Sequence, residues 1–111
     1  MRTITLRLIL KAARSYHLNL TQTEALCLLV EHRNVTVGAL AMHLGVSTAA
    51  VTHIADTLVR HGFVERRAGM SDRRHIWLDI TPLGQSILEK IVHKTTAPLE
   101  VVDAGKMAAA V

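Results

Sequence analysis

Apolar residues recur at two different spacings along the chain, and the spacing changes where the predicted structure changes. In the first segment they lie three or four residues apart, at Leu6, Ile9, Leu10 and Ala13, with basic residues between them. That spacing places one apolar face on a helix. We therefore predict an amphipathic helix over about residues 3–16.

A second helix is predicted at the next apolar run. Thr21 followed by Glu24 has the spacing of a capping box, and the helix is expected to continue to about His32. Its centre, residues 25–30, is apolar on every side. A helix of this composition needs cover on more than one side, from neighbouring helices or from a second subunit.

Small and apolar residues between positions 40 and 54 have the spacing of a helix-turn-helix unit. They are Leu40, Ala41, Leu44, Gly45, Val46, Val51 and Ile54. Gly45 permits a left-handed turn, and the larger side chains are predicted to face a shared core. Thr36 and Ser47 are predicted to cap the two helices, the second of which stops at Gly62. Such a unit mostly presents its second helix to DNA.

After this unit the spacing changes to the two-residue alternation of strands. Residues 63–67 and 75–80 are predicted to form a hairpin, with Trp77 shielding its outer face. Three residues of the second strand are predicted to point toward the core: Ile76, Leu78 and Ile80. Residues 68–74 between the strands predict a polar hairpin tip, or wing. The predicted fold class is mainly α, a winged helix-turn-helix with a two-stranded β-hairpin wing.

The last predicted helix begins after Thr81, a capping residue followed by Pro82, which needs no amide donor at the first helical position. Its apolar face is predicted to contain Leu83, Ile87, Leu88 and Ile91. Ala97 and Pro98 are expected to interrupt or restart the helix. For residues 101–111 a short helix and a frayed tail both stay open.

Composition and charge narrow the class of protein. With 111 residues, half of them apolar, the chain can form one core, so a single domain is predicted over residues 1–111. The net charge is +4, and +3 of it lies between Arg60 and Arg74, which suits a polyanionic partner. One cysteine, no signal peptide and no apolar run of about 20 residues lead us to expect a cytoplasmic protein without a membrane partner. Aromatic residues make up 3%, which disfavours stacking on single-stranded bases.

Several runs resemble, in order and spacing, the MarR family of winged-helix regulators. They are Leu20 to Gln22, Thr36 to Gly45, Ser47 to Arg67, Asp72 to Arg74 and Leu78 to Gly84. The resemblance implies a dimer that places one recognition helix per subunit, here Ser47 to His61, in successive major grooves of double-stranded DNA. Each wing would reach an adjacent minor groove. It also implies a transcriptional regulator and favours a repressor, and no arrangement of residues supports an enzyme.

The resemblance further implies candidate DNA contacts. On the recognition helix they are Ser47, Thr48, Ala49, Thr52 and His53, and on the wing Arg74. Further candidates are Thr36, Arg66 and Arg73. Arg66 and Arg67 fit an ordinary solvated strand end equally well, and Asp72 is expected to orient a wing arginine or cap the turn. His53 stands where family members often have an arginine, so direct base readout is expected to be modest.

The expected partners are double-stranded DNA and a second copy of the chain. The terminal helices, about residues 3–16 and 82–101, are expected to contribute to dimerisation. Because the sequence ends soon after Met107, the last dimerisation helix of the family is expected to be short or missing. A pocket for an unidentified small-molecule effector is expected between the first helix and the helix-turn-helix.

Two other interpretations stay open. The winged helix could serve protein association without specific DNA binding. The second alternative is a metal- or redox-responsive sensor. Cys27 disfavours redox sensing, because it lies among apolar residues with no adjacent cation to lower the pKa of its thiol. Of the seven histidines, only His93 shares a helix face with a carboxylate, that of Glu89. No cofactor, metal site or catalytic residue is therefore assigned.

Overall fold

Five helices and a small sheet make up the described part of the chain. The computed structural model describes the backbone of residues 2–68 and 75–105 and the side chains of residues 7–68 and 75–93. The elements are α1 (Arg2–Arg14), α2 (Leu20–Glu31), β1 (Val35–Thr36), α3 (Val37–Leu44), α4 (Thr48–Arg60), β2 (Val64–Ala68), β3 (Ile76–Ile80) and α5 (Pro82–Gly105). This arrangement confirms the predicted winged helix-turn-helix class.

The core surrounds α2. Ala25, Leu26 and Leu29 are almost inaccessible to solvent, whereas Val30 on the same helix is 44% exposed. The apolar helix is therefore covered on most sides, as predicted, but open at Val30. The other elements and their connections contribute further buried apolar side chains to this core. They are Ala12, Ala13, Leu18, Val35, Leu40, Ala41, Val51, Ala55, Leu58, Phe63, Val64, Leu78, Ile80, Ile87, Leu88 and Ile91.

The start of α2 differs from the prediction. Asn19 is the N-cap: its side chain accepts from the Gln22 amide at 2.8 Å, and Gln22 Oε1 accepts from the Asn19 amide at 2.9 Å. The capping box predicted at Thr21 and Glu24 is wrong. Asparagine caps at least as well as threonine, and the earlier pair with the same spacing lets the helix begin at Leu20.

The turn between α3 and α4 has the predicted geometry. Gly45 adopts a left-handed conformation with a φ of 71°, and the Val46 amide donates to the Ala41 carbonyl at 3.1 Å. Leu40 and Val51 are buried on either side of the turn, as predicted. Val46 is 37% exposed, contrary to prediction, because it lies in the turn and outside the inward faces of both helices.

The described sheet has three antiparallel strands in the order β1-β3-β2, one more than the predicted hairpin. Val35 of β1 lies opposite Leu78 of β3, and Val64 of β2 lies opposite Ile80. A two-residue strand is too short to show an alternating pattern, so the sequence does not predict β1. Leu78 and Ile80 are buried as predicted, but Ile76 is 39% exposed because it lies at the wing end of β3.

Helix α5 begins as predicted. Thr81 Oγ1 accepts from the Gly84 amide at 3.0 Å and donates to the Gly62 carbonyl at 2.6 Å. Of the predicted apolar face, Ile87, Leu88 and Ile91 are buried, but Leu83 in the first turn is 50% exposed. The expected interruption at Pro98 is wrong, since the backbone stays helical to Gly105 although proline removes one amide donor.

Candidate nucleic-acid interface

Helix α4 separates its side chains into an inward and an outward face. Val51, Ala55 and Leu58 point into the core and are almost inaccessible to solvent. Four candidate DNA contacts are exposed: Thr48, Ala49, Thr52 and His53. The packing of α4 on the core therefore determines which of its side chains are available to a partner.

The hydroxyl groups on this surface are already engaged in part. Ser47 Oγ accepts from the Ala50 amide at 3.1 Å, a bond that does not use the hydroxyl hydrogen. Thr52 Oγ1 donates to the Thr48 carbonyl at 3.0 Å. Ser47 can therefore still donate to an anion, whereas Thr52 offers an oxygen acceptor and a methyl group.

A groove lies between the start of α3, the middle of α4 and the base of the wing. It has a volume of about 410 Å³ and is lined by Thr36, Val37, Gly38, Thr52, His75 and Ile76. Two candidate DNA contacts from different elements, Thr36 and Thr52, thus meet in one concavity. Thr36 Oγ1 also caps α3, accepting from the Ala39 amide at 3.0 Å.

Arg66 has a protein partner on α4. Its Nη2 donates to Asp56 Oδ1 at 2.5 Å, which joins the first wing strand to the helix that carries the other candidates. Sequence reasoning proposed Arg66 as a phosphate contact and missed Asp56. The two residues are ten positions apart on different elements, so no local pattern indicates the pair.

A second group of polar side chains lies at the base of the wing, and we call Arg33, Asn34, Arg67 and Asp79 the wing-base cluster. Arg67 Nη2 donates to Asn34 Oδ1 at 2.7 Å and lies 3.6 Å from Asp79 Oδ2. Arg33 Nη1 lies 3.9 Å from Asp79 Oδ1. Asn34 has a positive φ of 55°, which asparagine tolerates better than most residues. Apart from Arg67, sequence reasoning did not single out these residues.

The remaining wing candidates, Asp72, Arg73 and Arg74, lie outside the described residues. The strand ends on either side of these residues are paired with each other. Ala68 at the end of β2 lies opposite Ile76 at the start of β3. Residues 69–74 therefore connect the ends of an antiparallel strand pair, which is where sequence analysis places the wing tip.

The environment of Cys27 disfavours a reactive thiol. Burial, and then the nearby carboxylates of Glu31 and Glu24, raise the pKa of the Cys27 thiol above its ordinary value. Among residues 7–68 and 75–93, no group of three or more His, Cys, Asp or Glu side chains is placed to hold a metal ion.

Two cavities adjoin α2. One, of about 500 Å³, lies at the turn from α1 to α2 and is lined by Leu10, Arg14, His17, Leu18, Asn19, Leu20 and Gln22. The other, of about 570 Å³, lies between α2 and α5 and is lined by Val30, Arg33, Gln85, Leu88, Glu89, Val92 and His93. Neither is lined by α3 or α4, so both differ in position from the effector pocket expected between the first helix and the helix-turn-helix.

A known family matches this combination of elements. The model of the MarR family matches residues 18–76, which is more than half of the chain and includes α2, the helix-turn-helix and the start of β3. The chain belongs to the MarR family. Members of this family are transcription regulators rather than enzymes.

Curated relatives agree with this assignment. The transcriptional repressor MprA of Escherichia coli is 34% identical over 62 residues, which is 56% of this chain and 35% of that protein. The HTH-type transcriptional regulator YwhA of Bacillus subtilis is 25% identical over 76 residues, 68% of this chain and 55% of that protein. The aligned part of the chain thus spans about a third to a half of these relatives.

Solved structures share the fold over nearly the whole chain. Apo MarR from E. coli has a TM-score of 0.77 and 25% identity, and the match covers 93% of this chain and 77% of that one. A point mutant of MepR from S. aureus, solved bound to an oligodeoxyribonucleotide, has a TM-score of 0.84, 16% identity and coverage of 94% and 79%.

No single helix in the described ranges is both long and apolar enough to cross a membrane, although α3 and α4 together, bent by 106°, satisfy that criterion by length and composition.

Proposed function

We propose that the protein binds double-stranded DNA as a homodimer and represses transcription, with α4 in the major groove and the wing at the minor groove. The observation that carries this proposal is the exposed polar face of α4, whose Thr52 shares a groove with Thr36 and the wing base. One relative is named a transcriptional repressor, and one solved neighbour holds an oligodeoxyribonucleotide.

The chemistry of this face fits phosphate contacts better than extensive base readout. The caps at Ser47 and Thr36 use the hydroxyl oxygens and leave their hydrogens for an anion at helix starts, where partial positive charge favours one. His53 can make a single hydrogen bond to a base edge, and the other candidates on α4 have short side chains. Backbone phosphates would therefore supply most of the affinity and its salt dependence.

The wing would add contacts of a second kind. Arg73 and Arg74 lie in the loop between β2 and β3, and arginines gain energy from the negative potential of a narrow minor groove without specific base geometry. Asp72 beside them would orient one arginine. Arg66 is proposed as a phosphate contact only if it leaves Asp56, its partner on α4.

A two-fold dimer would compensate for modest readout by each subunit. Helices α1 and α5 pack against each other within the chain and hold the terminal positions expected at the interface. A second copy would place a second α4 one helical turn along the duplex, so the preferred site would be an inverted repeat. An effector would act through either cavity beside α2 by shifting the spacing of the two α4 helices.

A selection from random duplexes at about 50 and 200 mM salt tests this function. Enrichment of an inverted repeat at both salt concentrations is expected, with a dimer mass from light scattering of the complex. Replacing Arg73 and Arg74 with alanine should weaken binding and reduce its salt slope by about 0.9 for each lost phosphate contact. Recovery of no enriched sequence, with unchanged retention by the alanine variant, would instead favour a protein-association module.

A further inference from the structure

Asp79 of the wing-base cluster lies within ion-pair distance of two arginines, 3.9 Å from Arg33 and 3.6 Å from Arg67. The Asp79 side chain is 17% exposed, whereas those of Arg33 and Arg67 are 62% and 55% exposed. A mostly buried carboxylate thus lies beside two mostly exposed cations. Asn34 adds to this restraint by accepting the Arg67 hydrogen bond at 2.7 Å.

In the described part of the chain, Asp79 has this pair of arginine contacts, but the neighbouring carboxylate, that of Glu65, does not. Glu65 lies directly opposite Asp79 in the β2–β3 pair, yet Glu65 makes no ion pair with any described residue. Directly opposed like charges disfavour a strand pair, and the arginines at Asp79 offset that repulsion. The geometry therefore selects one of two adjacent acids to hold both cations.

The position of the cluster matters for a DNA-binding wing. Arg67 is the residue before Ala68, where β2 ends and the wing tip begins. An unrestrained arginine there would add a sequence-independent phosphate contact beside the tip arginines, Arg73 and Arg74. Such contacts strengthen binding to every duplex equally and so reduce the ratio of specific to nonspecific affinity.

We propose that Asp79 is a specificity-determining positioning residue, which holds Arg33 and Arg67 on the wing base and thereby withholds two cations from the phosphates of nonspecific DNA. This inference rests on the proposed function. It assigns the wing two sets of arginines: Arg73 and Arg74 at the tip for the duplex, and the cluster arginines restrained at the base.

The test compares Asp79→Asn with Glu65→Gln. Asparagine retains the oxygen that accepts from the Ile80 amide at 3.0 Å, so the local backbone contact is preserved. Both variants remove one negative charge from opposed positions on the same strand pair. Binding to a random-sequence duplex is measured by fluorescence anisotropy between about 50 and 200 mM salt, and folding by thermal melting.

Asp79→Asn is expected to steepen the salt slope by about 0.9 for each arginine released. Over that salt range this is about a 3- to 4-fold larger loss of affinity for one arginine and about a 12-fold larger loss for both. Glu65→Gln should leave the slope unchanged. Adding Arg67→Gln to Asp79→Asn should remove about half of the increase. An unchanged slope for Asp79→Asn, or an equal increase for Glu65→Gln, would overturn the proposal.

If Asp79→Asn does not fold, the salt slope of the single variant Arg67→Gln still tests the proposal. Because Arg67 is withheld from DNA, this variant should have the same slope as the unaltered protein on random duplex. A slope lower by about 0.9 would mean that Arg67 already contacts phosphate, against the proposal. Unaltered protein that retains neither a random nor a selected duplex would overturn the proposed function as well, whereas normal binding with the wrong slopes overturns only the role of Asp79.

Discussion

Asp56 of α4 and Arg66 of β2 are joined by a hydrogen bond of 2.5 Å between Oδ1 and Nη2. Asp56 follows Thr52 by four residues and His53 by three, so its carboxylate lies on the helix face proposed to meet DNA. Both side chains are partly exposed, and such pairs contribute about 0–1 kcal/mol to folding. We therefore expect the main effect of Arg66 to be the neutralisation of an acid close to the proposed phosphate contacts.

Arg66→Gln should weaken binding to the selected duplex by about 3- to 10-fold, because Asp56 is left unpaired beside the phosphates. Combining it with Asp56→Asn should restore most of the loss, since the repelling carboxylate is then gone. Anisotropy titrations at one salt concentration would measure both. If the double variant binds as weakly as Arg66→Gln, Arg66 itself contacts phosphate.

Thr52 and Thr57 offer a matched pair on α4, since each hydroxyl donates to the carbonyl four residues earlier, at 3.0 and 3.3 Å. Thr52→Val removes the acceptor that faces the groove and should lower the ratio of specific to random-duplex affinity about 5-fold, the effect of one hydrogen bond of about 1 kcal/mol. Thr57→Val should leave this ratio unchanged. Equal losses in the two competition titrations would mean that the effect does not come from the Thr52 acceptor in the groove.

Gly84 allows α5 to pack closely on the chain before β2. A Cβ added there would overlap the Phe63 carbonyl oxygen and the Ile80 side chain, whereas one added at Gly38 would meet open space. Gly84→Ala should lower the free energy of unfolding by about 1–3 kcal/mol. Gly38→Ala, inside α3, should raise it by up to about 1 kcal/mol. Urea unfolding compares them, and equal stabilities would contradict this packing.

Cys27 should react slowly with alkylating reagents at neutral pH, because its raised pKa keeps the thiol protonated. The rate should increase only at pH values above those at which an unstructured cysteine peptide reacts. Across that interval the unfolded thiol ionises first, so the folded state binds more protons and the free energy of unfolding falls as pH rises. Mass spectrometry of the single cysteine measures the rate. Rapid alkylation at neutral pH, or release of DNA by peroxide, would revive the sensor interpretation.

The features that the sequence predicts correctly are formed by residues close together in the chain. The caps at Thr36, Ser47 and Thr81 and the turn at Gly45 each depend on neighbours within about four positions, and the structure confirms all of them. The one capping error, at the start of α2, arises because Asn19 and Thr21 head competing pairs with identical spacing.

Contacts between distant segments could not be predicted in the same way. Arg67 and Asn34 are 33 positions apart, and their hydrogen bond exists only because β1 joins the sheet beside β3. Nothing in a two-residue strand signals that pairing. The sequence therefore predicts the proposed interface as far as α4 and the wing arginines, but not Asp56 and Asp79, the acids that restrain arginines.

Thr36 belongs to the short strand β1 and also caps helix α3. It lies opposite Trp77 in the sheet, and its hydroxyl also holds the first turn of α3. The strands that carry the wing and the first helix of the helix-turn-helix are thus connected through one residue. Local unfolding should expose both together as a single cooperative unit, with their amides exchanging hydrogen at a common rate.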